Sequence, residues 1–329
     1  MEKGTAGMPQ RIRSVDIVGG ILILWIMVFH ALDGSEVFGE DQTRRVLPYL
    51  TFSMPWFFYR SGLFFHILPW RERLAKDIRK FLIPFLKWSA LGFLIWLAMQ
   101  AIDGTLTREN CLSYPLQTLV IYGFLPVNIP IWFLLTLFLV RFGANCLLQW
   151  SVPPLVCVVA GLGIGYGLHL LDSPIVPFVI ANTAMGIAFF MLGYRFGQYE
   201  HITWLSAAAI AGYAAFLAFG CSIVNHHNNR LITGNYLLWP VFAYCGIVTF
   251  NNLCRWADSI MSSRGISCRI LPFMGKHSLT LLATHAFVYF PILHYSTFGP
   301  WQTVGIIIAA YLVVFIPVLW AKREKEPTV

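Results

Sequence analysis

Three side chains are out of place in otherwise apolar sequence. His30 closes the stretch SVDIVGGILILWIMVFH at residues 14–30, and Asp16 stands at its foot. Arg60 lies inside TFSMPWFFYRSGLFFH at residues 51–66. An ionisable group within a membrane helix is a functional-site hypothesis, because its burial costs free energy that packing alone does not return. An imidazole in water titrates near neutral pH, which suits that side chain to proton transfer. A histidine hydrogen-bonded at a helix end for structural reasons is the competing reading. Arg60 sits roughly 18 Å below the outer end of its segment at 1.5 Å per residue. A charge at such depth costs at least ~2.5 kcal/mol, so a polar cavity and a partner are expected. Ser61 and Gly62 beside it allow close approach of a backbone or a ligand. Pairing with Asp16 purely for packing is the alternative.

The basic stretch WRERLAKDIRKFLIPF follows at residues 70–85. It fits ordinary membrane topology with lipid headgroup contact. It also fits docking of a phosphorylated cytoplasmic donor. Lys76 and Arg79, three apart, share a face if this segment is helical. His285 and His294 fall in one apolar segment, with His285 near its middle as a second cavity-lining or packing group. His226 and His227 in NHHNNR have no acidic neighbour and make a weak metal signal. Asn182, Asn251, Asn252 and Thr136 are polar within apolar runs, where interhelical hydrogen bonds account for them.

These groups need a scaffold, and the composition defines it. Of 329 residues, 57% are hydrophobic and 12% charged, with a mean hydropathy of +0.67. That leaves no room for a large soluble domain, so residues 1–329 read as one integral membrane unit. Long runs that are apolar all round predict an all-α, polytopic transmembrane bundle of about ten helices, not a barrel. Expected spans are 15–32, 48–69, 81–101, 130–149, 152–171, 175–197, 203–222, 236–256, 272–295 and 300–320. The stretch 116–127 is too short to cross and reads as interfacial or re-entrant. The first run lacks a small-x-small cleavage site and reads as a retained helix.

Ten spans put 17 of the 23 Lys and Arg on the side of both termini and four (Arg44, Arg45, Arg108 and Arg230) on the other. Arg60 and Arg141 fall within spans. The asymmetry predicts cytoplasmic termini. It also explains the +8 net charge without nucleic acid. Seven scattered Cys with no CxxC pair imply neither a disulfide framework nor a metal site.

Ordered motifs along the chain resemble the acyltransferase-3 family of integral membrane O-acyltransferases. An Asp followed by an apolar helix ending in His is matched by Asp16 and the VFH of residues 28–30. The second-helix pattern MP-x-FFF-x-SG is matched by Met54, Pro55, Phe57, Phe58, Ser61 and Gly62. A basic R-x-x-R-like stretch is matched by Lys76 and Arg79, and a WFL stretch by Trp132 to Leu134. FFMLGYRFG at residues 189–197 matches a helix ending in Gly-Tyr. Gly275, Lys276, Ser278, Leu279 and His285 match a late G-K-x-SL segment followed by a His.

The resemblance implies transfer of an acyl group, commonly acetyl, from cytoplasmic acyl-CoA to a hydroxyl. The acceptor would be a cell-envelope or exported glycan, or a small molecule. His30, with Asp16, would be the catalytic pair, His30 acting as general base or carrying the acyl group itself. Arg60, Ser61, Lys76 and Arg79 would bind the acyl-CoA, which is a co-substrate, and Trp132 and His285 would line the cavity. No metal is implied. The location implied is a bacterial inner membrane, with lipid, donor and hydroxyl acceptor as partners; oligomeric state is left open.

One position departs from the family pattern. The family's cation eleven residues before the His is Gly19 here, and Arg60 stands where the family has an apolar residue. Helical rise puts Arg60 roughly 9 Å further from the cytoplasmic end than Gly19, a gap its side chain could mostly bridge. Arg60 is therefore expected to replace the missing charge. The rival readings are a catalytically weak relative and a transporter or flippase of a glycan or lipid-linked substrate. A transporter would be expected to show two similar halves, and no such repeat is visible in the sequence.

Overall fold

A computed structural model describes residues 12–37, 50–171, 177–197, 202–219, 223–225, 230–266 and 268–323. The protein is a helical bundle with one short antiparallel hairpin, Ile223–Asn225 against Arg230–Thr233. His226, His227, Arg44 and Arg45 lie outside the described residues.

Helix α1, Arg13–Gly34, is the centre of the bundle. Its unbroken apolar run favours helix, and Asp16 in the first turn complements the helix dipole. It is buried over most of its first half and packs against six other helices. Helix α2, Ser53–Leu63, has only 11 residues. It is followed by the short helix α3, Trp70–Asp77, a π-helical turn over Ile78–Leu82, and α4, Ile83–Ile102. Then come α5, Tyr114–Tyr122; α6, Trp132–Gln149; α7, Pro154–Leu171; and α8, Phe178–Phe196. The last third holds α9, Thr203–Phe219; α10, Trp239–Ser263; α11, Ile270–Lys276; α12, Ser278–Thr284; α13, Ala286–Tyr295; and α14, Pro300–Arg323.

The helical class is as the sequence implies, but ten is only an approximate count of spans. Among the described residues, five helical stretches are long and apolar enough to cross a membrane: Arg13–Gly34, Trp70–Ile102, Ile129–Gln149, Pro154–Leu171 and Phe178–Phe196. Thr203–Phe219 and Pro300–Ile316 are apolar but shorter. The expected span 48–69 is cut to α2, since the chain leaves helix after Leu63 and Leu68 precedes Pro69, where α geometry is disfavoured. The expected span 272–295 is three short helices, with Pro291 inside the last.

The segment 116–127 is not one continuous helix. Helix α5 stops at Gly123, whose φ of +80° is the left-handed cap that glycine tolerates. The chain then runs buried through Phe124, Val127 and Asn128. Non-helical backbone at such depth must be satisfied by protein. The Asn128 amide donates to the carbonyls of Ala283 at 3.0 Å and Trp88 at 3.5 Å, tying this segment to α12 and α4.

Candidate functional site

The sequence-nominated residues fall into two polar centres, one near each end of α1. Asp16 and His30 are fourteen residues apart on one helix, so about 21 Å separates them. Asp16 therefore does not reach the imidazole of His30.

The first centre is built around Arg60. Its Nη2 donates to Asp16 Oδ1 at 2.6 Å, and its Nη1 donates to the Gly275 carbonyl at 3.1 Å. One guanidinium thus joins α2, α1 and α11. The approach of α1 to α11 depends on Gly275, where a Cβ would overlap the Asp16 carbonyl oxygen. Arg60 also lies 5.5 Å from the Trp56 ring centroid, and Trp56 Nε1 donates to Asn251 Oδ1 at 2.8 Å. Asn251 of α10 is thus an interhelical hydrogen-bonding residue, as its place in an apolar run implies. Arg60 Nη1 stands 3.2 Å from the point a Cβ on Gly19 would occupy. The side chain covers the whole vertical gap, and its head group fills the space beside Gly19.

Ser61, the next residue on α2, accepts a hydrogen bond from Arg141 Nη1 at 2.6 Å. Arg141 Nε donates to Asp77 Oδ1 at 3.3 Å, and Arg73 Nη1 lies 3.4 Å from the same oxygen. Arg73 Nη2 donates to the His66 carbonyl. Arg73 and Asp77 are 2% and 0% exposed, so two guanidinium groups share one buried carboxylate. Both stack on Phe65, with ring distances of 4.3 and 5.2 Å. Lys80 is exposed, and Arg141, Asp77, Arg60 and Lys76 lie within its electrostatic reach. Five cations thus surround two carboxylates, which leaves an excess of positive charge able to hold an anion.

Lys76 and Arg79 are both exposed. The π-helical turn that begins at Ile78 widens the helix just between them. Lys76 lies within the electrostatic range of Lys80, four residues further on. Sequence reasoning missed Arg73, Asp77, Lys80 and Arg141 as site residues. Arg141 carried the signal that nominated Arg60, a charge inside an apolar run. Arg73 and Asp77 are an i,i+4 pair of opposite charge. Lys80 follows Lys76 by four residues and Asp77 by three, a spacing that helical periodicity puts on one face.

The second centre surrounds His30. The ring of Tyr289 stacks on it with centroids 5.6 Å apart and planes within 2°. His285 lies 5.4 Å away, centroid to centroid. His285 is fully buried, and its Nδ1 is 3.0 Å from the Leu281 carbonyl. A carbonyl only accepts, so Nδ1 carries the proton. His285 thus lies beside His30. Trp132 is 6% exposed and packs in the aromatic core against Phe133 at 6.0 Å. His294, further along α13, lies on the rim, its Nε2 2.7 Å from Asp103 Oδ2 at the end of α4. Among the described residues no group of three or more His, Cys, Asp or Glu is placed to hold a metal ion.

A bundle of apolar helices with buried charge at one end of its central helix and an imidazole pair at the other defines a membrane protein with two polar centres. The chain matches the acyltransferase domain of the acyltransferase-3 family over residues 12–321, nearly its whole length, and belongs to that family. It is therefore a membrane acyltransferase. No curated protein and no solved structure matches it.

Proposed function

We propose that this protein moves an acyl group, most simply acetyl, from cytoplasmic acyl-CoA to a hydroxyl of a cell-envelope or exported glycan. It would do so in a bacterial inner membrane with both termini in the cytoplasm. The observation that carries this reading is the separation of the two centres along α1. A cation-rich site about 21 Å from an imidazole suits a long donor with an anionic head and a reactive thioester at its far end.

On this reading Arg60, Arg141, Lys76 and Lys80 hold donor phosphates, and Ser61 orients Arg141. His30 takes the proton of the acceptor hydroxyl as the oxygen attacks the thioester carbonyl. The new C–O bond forms, the C–S bond breaks, and His30 returns the proton to the departing thiolate. Arg60 takes the place of the cation missing at position 19, which argues against a silent relative. The test is incubation of purified protein with labelled acetyl-CoA and extracted envelope glycans. Label in glycan, stable to thiol exchange and released by mild base, is expected; its absence with a donor-binding protein would overturn the reading.

A further inference from the structure

His285 has one nitrogen that the fold leaves unused. Nδ1 gives its proton to the Leu281 carbonyl. Nε2 is then a bare lone pair, fully buried, with no hydrogen-bond partner among the described residues. A buried polar atom without a partner costs about 1–3 kcal/mol, so such atoms call for a functional explanation. The rings around it are those of His30, Tyr289 and Tyr311, with centroids 5.4, 5.6 and 6.4 Å from that of His285, and His30 is the one that can bring an N–H. The His30–His285 separation of 5.4 Å is a distance at which two imidazoles can be joined by one N–H···N hydrogen bond of about 3 Å.

A general-base histidine needs such a partner. One ring nitrogen must face the acceptor hydroxyl as a lone pair, and the other must carry a proton held in a fixed direction. The Tyr289 ring lies parallel to the His30 ring, with centroids 5.6 Å apart. An N–H bond lies in the plane of its ring and points along the edge. The His285 ring is tilted by 34° to that of His30, and its Nε2 takes no hydrogen bond with His30 as placed, so the His30 ring must turn for its N–H to reach it. The other titratable groups around the pair are Asp33, one turn beyond His30 on α1, Tyr289 of α13, and Tyr311 of α14 with its ring 6.4 Å from His285.

We propose that His285 is a positioning residue for His30: its Nε2 accepts the His30 N–H once the His30 ring turns to it, which fixes the tautomer that removes the acceptor's proton. The inference rests on His30 being the base of the proposed transfer. In the step, the acceptor proton moves to the unprotonated nitrogen of His30, and the resulting imidazolium keeps its other N–H on His285. The proton then leaves to the thiolate, and His285 remains neutral throughout.

The test has two parts. Wild-type protein labelled with 15N-histidine in lipid bilayers is examined by NMR for a through-hydrogen-bond 15N–15N coupling between His30 and His285 Nε2, with coenzyme A and without. The coupling is expected, and its absence in both samples would overturn the proposal, whether the lone pair is then empty or bonded to water. In parallel, acetyl transfer is measured for His285→Phe and His285→Gln. The Phe variant keeps a ring without a lone pair, and should lose tenfold or more in kcat with donor and acceptor KM within twofold. The Gln variant supplies a carbonyl acceptor and should recover part of that loss. An unchanged kcat in the Phe variant, or an equal loss in both variants, counts against the proposal. If the coupling is present but wild-type protein transfers nothing, the acyltransfer reading fails and the hydrogen-bonded pair stands.

Discussion

Arg60 Nη1 lies 3.2 Å from where a Cβ on Gly19 would stand, so the head of one side chain occupies the space that the other residue leaves empty. The same guanidinium is paired to Asp16, one helical turn before Gly19 on α1. Gly19 on α1 and the buried charge of Arg60 on α2 are thus parts of one arrangement.

Restoring a cation at position 19 should conflict with Arg60. Gly19→Arg alone puts a second guanidinium against the first, and overpacking a tight site costs about 1–3 kcal/mol before charge repulsion is added. A lowered midpoint of thermal unfolding in detergent is expected. Combining it with Arg60→Leu should recover most of the stability and part of the activity. A double variant no better than Gly19→Arg would show that the two positions are not exchangeable.

Asp16 and Arg60 should be energetically coupled. Asp16 is buried, and removing one partner of such a pair leaves an uncompensated charge, at a cost of order 3 kcal/mol. Asp16→Asn and Arg60→Ala should each lower the unfolding midpoint. The double variant should lose less than the sum, with a coupling of about 1–3 kcal/mol. Additive losses in the cycle would mean that the contact does not contribute to stability.

Donor affinity should follow the cluster around Lys80 more than the surface of α3. Lys76→Ala with Lys80→Ala should raise the acyl-CoA dissociation constant about tenfold, and added salt should narrow the difference, since exposed charge contacts are screened. Lys76→Ala with Arg79→Ala should have the smaller effect. Equal effects of the two pairs, by calorimetry, would return the donor contacts to the sequence-nominated face.

His30→Ala should leave an expressed, monodisperse protein whose acyl transfer falls by about 10²–10⁴, the range for loss of a general base. His30 is only partly buried, so the truncation should leave little cavity. Retained transfer would remove His30 from the chemistry.

A membrane-impermeant thiol reagent applied from outside intact cells checks the orientation, using a background without native cysteines. Cys in place of the exposed Arg108 should be labelled, and Cys in place of the exposed Arg79 should not. The reverse pattern would invert the topology.

The sequence by itself determined the class of this protein. An apolar fraction of 57% leaves helices as the means of satisfying backbone polar groups in lipid, and motif order from Asp16 to His285 was enough to indicate the family. Single anomalous residues, His30 and Arg60, were legible because burying an ionisable group is costly wherever it occurs. Tertiary structure decided which anomalies meet. Asp16 went to Arg60 and not to His30, because fourteen residues of straight helix cannot be shortened. Lys80 entered the charged cluster because Arg60 and Arg141, from two other helices, come within its electrostatic range, which its own stretch of sequence does not announce. His285 joined His30 only through the packing of α12 and α13 on α1. That packing lets glycine bring α11 against the Asp16 backbone, an approach set by the absence of a side chain and visible only when both helices are in place.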